Sequence, residues 1–340
     1  MSDKPSVPVP PVVLVTRKLP DAVEDRLGRD YQARLNSDDA LYSKDELIER
    51  AGGADAIVAC HTEHLSAEVI ERLPEEVKIV ANFSVGFDHV DIEAAKKRGL
   101  VVTNTPDVLS DATAELTMML MIGAARRAGE GEKLVRTGEW KDWSPAFMVG
   151  TQVTGKRLGI LGMGRVGQVV ARRARGFDME IHYHDIRRLA PEAEEGAQYH
   201  ETPEDMLPVC DFLSIHCNAT PETTGLMNAE RLALLPDGAI FVNAARGELL
   251  DLDALAETLD SGHVAAAGLD VVSPEPLPDG HPLLGHPNTV FTPHTAGVTA
   301  ETSAMLAQSA ADQIMTALKG EHPRFPVNPE AWDGPASRRP

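Results

Sequence analysis

Cysteine is almost missing from this chain: Cys60, Cys210 and Cys217 are the only three in 340 residues. An odd number, outside C-x-x-C spacing and beside apolar runs, excludes a disulfide framework and a paired-thiol motif. It points to reduced, buried thiols in a cytoplasmic protein. Long hydrophobic runs are missing too, and none approaches the roughly 20 residues that span a bilayer. The opening "MSDKPSVPVPPVVLVT" carries one Lys and no apolar core ahead of its prolines. It reads as a short disordered tail and not as an export signal. Basic residues are in deficit, 32 against 52 acidic ones, for a formal charge of −20. Such a balance favours solubility and disfavours nucleic acid and anionic membranes as partners. There is no internal repeat, and low complexity is confined to the Pro-rich ends.

What is present suits two globular domains: 43% apolar and 25% charged residues over a length that supports sizeable cores. The first third alternates β-branched runs with helical stretches. "PVVLVT" (11–16), "DAIVAC" (55–60), "KIVANFS" (78–84) and "LVVTNTP" (100–106) are its four predicted strands. A second series runs through "KRLGILGMG" (156–164), "EIHYHD" (180–185), "DFLSIHC" (211–217), "AIFVNAA" (239–245), "HVAAAGLDV" (263–271) and "TVFTPH" (289–294). Strands separated by helix-length segments imply two α/β, doubly wound parallel sheets with helices on both faces. One long helical pattern (110–140) lies between them, and another (299–320) follows the second sheet. Four strands make a small sheet, which gains if the last helix returns to it. The expected division is therefore 1–107 plus 299–330 for the first, discontinuous domain, 108–298 for the second, and a tail over 331–340.

"LGILGMGRVGQVVARRA" holds Gly162-x-Gly164-x-x-Gly167 between an apolar strand and a helix, with Val166, Val169, Val170 and Ala174 as the expected inward stripe. In that setting Gly162 permits the tight turn, Gly164 the approach of a pyrophosphate, and Gly167 close helix–strand packing. The helix N-terminus then presents N–H groups and a positive dipole end to the phosphates. The next strand ends at Asp185, eighteen residues past Gly167. An acid there accepts hydrogen bonds from the ribose hydroxyls and repels a 2′-phosphate, favouring NAD over NADP. Arg187 and Arg188 follow it, and either is able to pair with that phosphate.

Ligands of an open parallel sheet sit beyond the carboxyl ends of its strands. Three ionisable residues fall there: Arg246 after "AIFVNAA", Glu275 after "AAAGLDVV" and His294 after "TVFT". Singly, each is more often a surface, turn or helix-start residue. Together, beside a nucleotide loop, they suit hydride transfer between a nicotinamide and a carbonyl. Histidine is the natural proton donor near neutrality, a carboxylate on its other nitrogen orients and charges it, and an arginine fork binds a substrate carboxylate. Glu275 lies between Pro274 and Pro276, with Pro278 and Pro282 beyond, so its loop is stiff and extended.

With "NFSVGFDHVDI" (82–92), "GILGMGRVGQVVARRARGFDMEIHYHD" (159–185), "FVNAARGELLD" (241–251), "AAGLDVVSPEPL" (266–277) and "TPHTAG" (292–297), the chain resembles the D-isomer-specific 2-hydroxyacid dehydrogenase family from about residue 10 to 328. The resemblance implies a flavodoxin-like substrate domain and a Rossmann NAD(P)-binding domain with a cleft between. It implies catalysis by Arg246, Glu275 and His294, and a substrate carboxylate held by backbone N–H groups of Val85 and Gly86 together with Arg246 and His294. It adds Arg165, Val166, Ala244, Asp270 and Gly297 to the cofactor contacts of Gly162, Gly164, Gly167 and Asp185, and implies a homodimer formed through the nucleotide domains. Within the family, "GLDVVSPEPLPDGHPLL" looks most like glyoxylate and hydroxypyruvate reductases, and Glu275, where formate dehydrogenases have Gln, argues against formate.

Other residues carry weaker signals. Cys60, His61 and Thr62 follow a small-domain strand and are candidates to face the substrate. His61 and His64 lack a third ligand, so no metal is expected. Trp140 and Trp143 suit packing in a dimer arm, one of them reaching the partner's site in similar reductases, while His182 and His184 suit structural roles. The expected activity is reduction of a small 2-oxo acid to the D-2-hydroxy acid. Two alternatives stand beside it: a dinucleotide-sensing corepressor-like protein and a dehydrogenase of an inorganic anion such as phosphite.

Overall fold

The computed structural model describes residues 10–333, so the predicted N-terminal tail and residues 334–340 lie outside the described residues. The chain divides into two compact units, one up to Leu109 and again from Thr299, the other Ser110–Val298.

The first unit is built on five parallel strands: β1 (Val12–Val15), β2 (Gln32–Arg34), β3 (Ala56–Ala59), β4 (Ile79–Asn82) and β5 (Val101–Thr103). Their order is β2-β1-β3-β4-β5, the flavodoxin-like arrangement. β2 is one strand more than the sequence pattern predicts. It is a three-residue edge strand, Gln-Ala-Arg, whose ends are exposed, so it carries no apolar alternation to read. In the inner strands successive side chains alternate between two buried faces. Leu14, Ile57, Val80 and Val102 meet Leu47, Val69, Ile70 and Ala95 from the helices Lys44–Arg50, Ala67–Arg72 and Ile92–Arg98. Val13, Val58, Ile79 and Val101 meet Leu27 and the stripe Ala307, Ala310, Ala311 and Ile314 of the helix Ala300–Leu318. That stripe has i, i+3, i+4, i+7 spacing, and it is what returns the last helix to the small sheet. Buried Asn328 completes the β5 edge: its Oδ1 accepts the Val102 N–H at 2.9 Å and its Nδ2 donates to the Leu100 carbonyl at 2.9 Å. A helix, Pro329–Asp333, follows with Ala331 buried, where the sequence reading places a tail from 331.

The second unit holds seven parallel strands: β6 (Arg157–Leu161), β7 (Glu180–His184), β8 (Gln198–Tyr199), β9 (Phe212–Ile215), β10 (Ala239–Asn243), β11 (Val264–Leu269) and β12 (Thr289–Phe291). Their order is β12-β11-β10-β9-β6-β7-β8, so the strand order, not the strand direction, reverses at the β6/β9 boundary. A crevice at such a switch point, beyond the carboxyl ends, is where doubly wound folds bind dinucleotides. β8, two residues long, is again an edge strand without a periodic signal. The single helical pattern expected over 110–140 is two helices, Ser110–Ala125 and Ala128–Arg136. Arg127 breaks it at φ +54°, and its guanidinium holds both carboxylate oxygens of Glu130, at 2.8 and 2.9 Å. The buried stripe of the helix Arg165–Arg175 is Gly167, Val170, Ala171 and Ala174, while Val166 and Val169 flank it half-buried. No helix among the described residues is long and apolar enough to cross a membrane.

Candidate active site

The glycines of the β6 turn do three separate jobs. Gly162 stands at φ +94°, and a Cβ there would lie 2.5 Å from the Cys217 backbone nitrogen, so a side chain is refused by both conformation and space. Gly167 faces the Gly162 carbonyl so closely that a Cβ would overlap it. Gly164 has nothing within 4 Å of the position a Cβ would take, leaving its backbone open to approach. It is the N-cap of the helix Arg165–Arg175 and makes no side-chain cap hydrogen bond. Arg165 and Val166 form the first turn. This open cradle on a helix N-terminus fits a pyrophosphate.

Asp185 joins β7 to this loop. Its Oδ2 accepts the Met163 N–H at 2.8 Å and its Oδ1 accepts the Arg187 N–H at 3.1 Å. Under the loop lie His216 and Cys217, the residues following β9. Burial pushes the His216 imidazolium down to about 4 and the Cys217 thiol up to about 11, so both are neutral at physiological pH. His216 Nε2 lies 2.8 Å from Ser214 Oγ.

Beyond β10, β11 and β12 stand the three predicted catalytic residues, and two of them meet. His294 Nδ1 lies 2.8 Å from Glu275 Oε2, both side chains about one-third exposed. Glu275 Oε1 accepts the Val272 N–H at 3.2 Å, so the carboxylate joins its own loop to the imidazole. The Ser273–Pro274 and Glu275–Pro276 peptide bonds are cis.

Arg246 is set by buried Asn243 at the end of β10, whose Nδ2 donates to the Arg246 carbonyl at 2.8 Å and whose Oδ1 accepts the Ala245 N–H at 3.0 Å. The next residue, Gly247, packs against the backbone of Val272 and Ser273, where any Cβ would overlap the Val272 carbonyl. Gly247 therefore lets the arginine loop lie directly on the glutamate loop. Ala244 is buried beside it and Gly297 is half-buried.

Asp270, only 2% exposed, organises the histidine loop. Its Oδ1 accepts from Thr292 Oγ1 at 2.5 Å and from the Thr295 N–H at 2.8 Å, its Oδ2 accepts the Ala296 N–H at 2.9 Å, and its carbonyl takes the His294 N–H at 2.7 Å. The sequence reading assigns Asp270 to the cofactor only; its carboxylate is committed to this loop. Asn243, Gly247 and Thr292 escaped that reading, although a buried asparagine ending an apolar strand and a glycine next to the arginine were visible signals.

In the first unit, the loop after β4 has a comparable construction. The carbonyls of Ser84, Val85 and Gly86 accept, respectively, the Thr105 N–H at 3.1 Å, Asn104 Nδ2 at 2.8 Å, and both Asn82 Nδ2 at 2.8 Å and Ser84 Oγ at 2.5 Å. A trans peptide sets each N–H opposite the preceding carbonyl. With three successive carbonyls tied down, the N–H groups of Val85, Gly86 and Phe87 all turn away from those anchors. The turn after β3 is held by buried Glu63, which accepts from Thr16 Oγ1 at 2.5 Å, the Cys60 N–H at 2.8 Å and Thr62 Oγ1 at 2.8 Å. Desolvation pushes the Cys60 thiol up to about 12. Cys210 is buried, whereas Cys60 and Cys217 are half-buried.

Among the side-strand candidates, buried His182 has Nδ1 2.9 Å from His200 Nε2, and His184 Nδ1 lies 3.0 Å from the His200 carbonyl. Trp140 and Trp143 are 56% and 70% exposed on the segment after the helix Ala128–Arg136. Among the described residues, no group of three or more His, Cys, Asp or Glu is arranged to hold a metal.

A nucleotide cradle at the switch point of a doubly wound sheet, with an Arg, a Glu and a His at the same sheet edge, defines a dinucleotide-dependent oxidoreductase. Residues 118–296 match the model of the family described as D-isomer specific 2-hydroxyacid dehydrogenase, NAD binding domain. The chain is 41% identical over 305 residues to a glycerate dehydrogenase of Hyphomicrobium methylovorum, covering 89% of this chain and 94% of that one. It is 42% identical over 322 residues to a glyoxylate reductase of Korarchaeum cryptofilum (strain OPF8), covering 94% and 96%. Its fold is similar to the crystal structure of an NADPH-dependent glyoxylate/hydroxypyruvate reductase from Sinorhizobium meliloti in complex with NADP and malonate, with a TM-score of 0.83, 29% identity and coverage of 94% and 98%. The chain belongs to the D-isomer-specific 2-hydroxyacid dehydrogenase family, and its second unit is the NAD-binding domain of that family.

Proposed function

We propose that this protein is an NAD(P)H-dependent reductase of small 2-oxo acids, acting on glyoxylate and hydroxypyruvate to give the D-2-hydroxy acid. The observation that carries the reading is the 2.8 Å contact of His294 Nδ1 with Glu275, at the same sheet edge as the nucleotide cradle. Relatives named glyoxylate reductase and glycerate dehydrogenase support it, since glycerate is the reduced form of hydroxypyruvate. They favour the reductase over the corepressor-like and inorganic-anion alternatives.

When bound, the nicotinamide supplies the hydride. The chain supplies everything else. Gly162, Gly164 and Gly167, with Arg165 and Val166, seat the pyrophosphate on the helix end. Asp185 receives the ribose hydroxyls, which favours NADH, and Ala244, Asp270 and Gly297 line the same edge. Arg246 engages the substrate carboxylate and polarises the neighbouring keto oxygen. Glu275 occupies Nδ1 of His294 and fixes the ring, leaving Nε2 to deliver the proton to the developing alkoxide.

Two further proposals concern the whole molecule. The helix Ala128–Arg136 buries none of its residues, and Trp140, Trp143, Phe147 and Val149 are exposed just beyond it. We assign this surface to a homodimer contact made through the nucleotide-binding unit, with a tryptophan of one copy near the partner's site. The three free thiols suit the cytoplasm.

The deciding experiment follows the near-ultraviolet absorbance of NADH and, separately, NADPH against glyoxylate, hydroxypyruvate, pyruvate and phenylpyruvate. Rapid oxidation with the first two is expected. No turnover with any of the four, despite tight dinucleotide binding, would remove the reductase reading. Light scattering on the eluting protein tests the dimer.

A further inference from the structure

We infer that Glu194 sets the cofactor preference at the end of β7, by withholding Arg188 from the 2′-phosphate of NADP. The inference rests on the proposal that Asp185 receives the adenosine ribose. In the sequence, two arginines follow Asp185 and either is able to bind the phosphate. In the structure they are not equivalent.

Arg188 is committed. Its Nε donates to Glu194 Oε1 at 2.7 Å and its Nη2 to Oε2 at 3.2 Å, a two-pronged contact. Its guanidinium carbon also lies 5.4 Å from the centre of the Tyr199 ring on β8. Glu194 is buried, and other groups hold it in place. Its Oε1 accepts the hydroxyl of fully buried Tyr183 at 2.8 Å, and its carbonyl accepts Arg175 Nη2 at 2.9 Å. The Tyr183 oxygen in turn accepts the Leu189 N–H at 3.1 Å, closing the loop that carries both arginines. A buried carboxylate that loses its cation is costly, so Arg188 does not leave Glu194 cheaply for a solvent-exposed phosphate. Arg187 and Arg188 are both exposed; what separates them is the pairing of Arg188 with Glu194.

The ribose corner therefore offers a 2′-phosphate one acid, Asp185, and one arginine, Arg187, with the charge of Arg188 cancelled by Glu194. Neutralising Glu194 releases one positive charge and one guanidinium fork into that corner, while Asp185 and the β6 turn stay as they are. Glu194 is a positioning residue acting through Arg188. It touches no substrate atom.

The test is calorimetric titration of the full chain with ADP-ribose and with 2′-phospho-ADP-ribose, for the wild type, Glu194→Gln, Arg188→Ala and the double variant. Glutamine keeps an acceptor for the Tyr183 hydroxyl. The wild type is expected to bind ADP-ribose more tightly. Glu194→Gln should tighten binding of the phosphorylated ligand about fivefold, the size of one partly exposed charge pair. Its affinity for ADP-ribose and its kcat with NADH should hold steady while the KM for NADPH falls. Arg188→Ala alone should leave ADP-ribose affinity unchanged and weaken the phosphorylated ligand, because it uncovers the Glu194 charge, and the double variant should lose the gain.

An unchanged preference in a folded Glu194→Gln protein overturns the inference. So does a gain that survives in the double variant, or a wild type that favours the phosphorylated ligand. If Glu194→Gln does not fold, Glu194→Asp decides: its shorter side chain frees the guanidinium fork and should tighten the phosphorylated ligand, and an unchanged preference in that folded variant overturns the inference. Absence of turnover with every 2-oxo acid would overturn the reductase reading and leave these titrations to judge Glu194, whereas failure of the wild type to bind either ligand overturns both.

Discussion

The carbonyl of Asp270 accepts the N–H of His294 at 2.7 Å, and the Asp270 carboxylate gathers Thr292, Thr295 and Ala296 around the same histidine. His294 stands at φ +52°, a left-handed conformation that costs a non-glycine residue about 1 kcal/mol or more. The buried acid offsets that cost. Asp270→Ala strands a hydroxyl and two N–H groups, and should lower stability by about 2–4 kcal/mol in urea melts, with kcat falling at least about tenfold. Loss of NADH affinity at full stability would make Asp270 a cofactor ligand before a loop anchor.

His294→Ala should reduce kcat by about 10²–10⁴-fold, the usual worth of a positioned proton donor, with NADH affinity unchanged in a fluorescence titration. Glu275→Gln keeps the shape but not the charge beside Nδ1, and should reduce kcat less than His294→Ala does. Equal loss of NADH binding in His294→Ala would make the histidine structural.

Gly247→Ala forces a methyl group into the Val272 backbone, which cannot yield as a flexible side chain would. Overpacking of this kind costs about 1–3 kcal/mol. Because the displaced segment carries Glu275, kcat should fall along with stability. Normal kinetics in a destabilised protein would separate the packing of these loops from their chemistry.

The half-buried imidazole of His216 makes stability depend on pH. Its pKa, about 4, lies below the ordinary value of 6.5, so the unfolded chain binds the proton more readily. The stabilisation is complete above about pH 6.5 and is lost as pH falls toward about 4, amounting to at most about 3 kcal/mol. Urea melts between about pH 7 and about pH 4 should show this decline, and His216→Asn should flatten it. An identical decline in the variant would place the titration elsewhere.

Much of the site is legible in the sequence because its signals are local. Gly162, Gly164 and Gly167 sit in one turn, Asp185 ends the next strand, and Arg246, Glu275 and His294 each follow an apolar run that ends at the same sheet edge. β2 and β8 were not legible, since edge strands of two or three residues bury no periodic face. Nor was the break at Arg127, where a left-handed residue interrupts an otherwise continuous helical pattern.

Periodicity and turn chemistry act over a few residues, so the two doubly wound sheets and the residue types of the candidate site were legible along the chain, whereas the Ala307–Ala310–Ala311–Ile314 stripe that seats the last helix emerged in the structure. How those site residues are held depends on tertiary contacts. Asp270 reaches twenty-odd positions ahead to the histidine loop, Gly247 meets Val272, Asn82 and Asn104 turn a row of N–H groups outward, and Glu194 occupies Arg188. The Asp270, Gly247 and Asn104 contacts join loops that become neighbours only when parallel strands align their carboxyl ends, and spacing along the chain carries no record of which buried polar group will satisfy which.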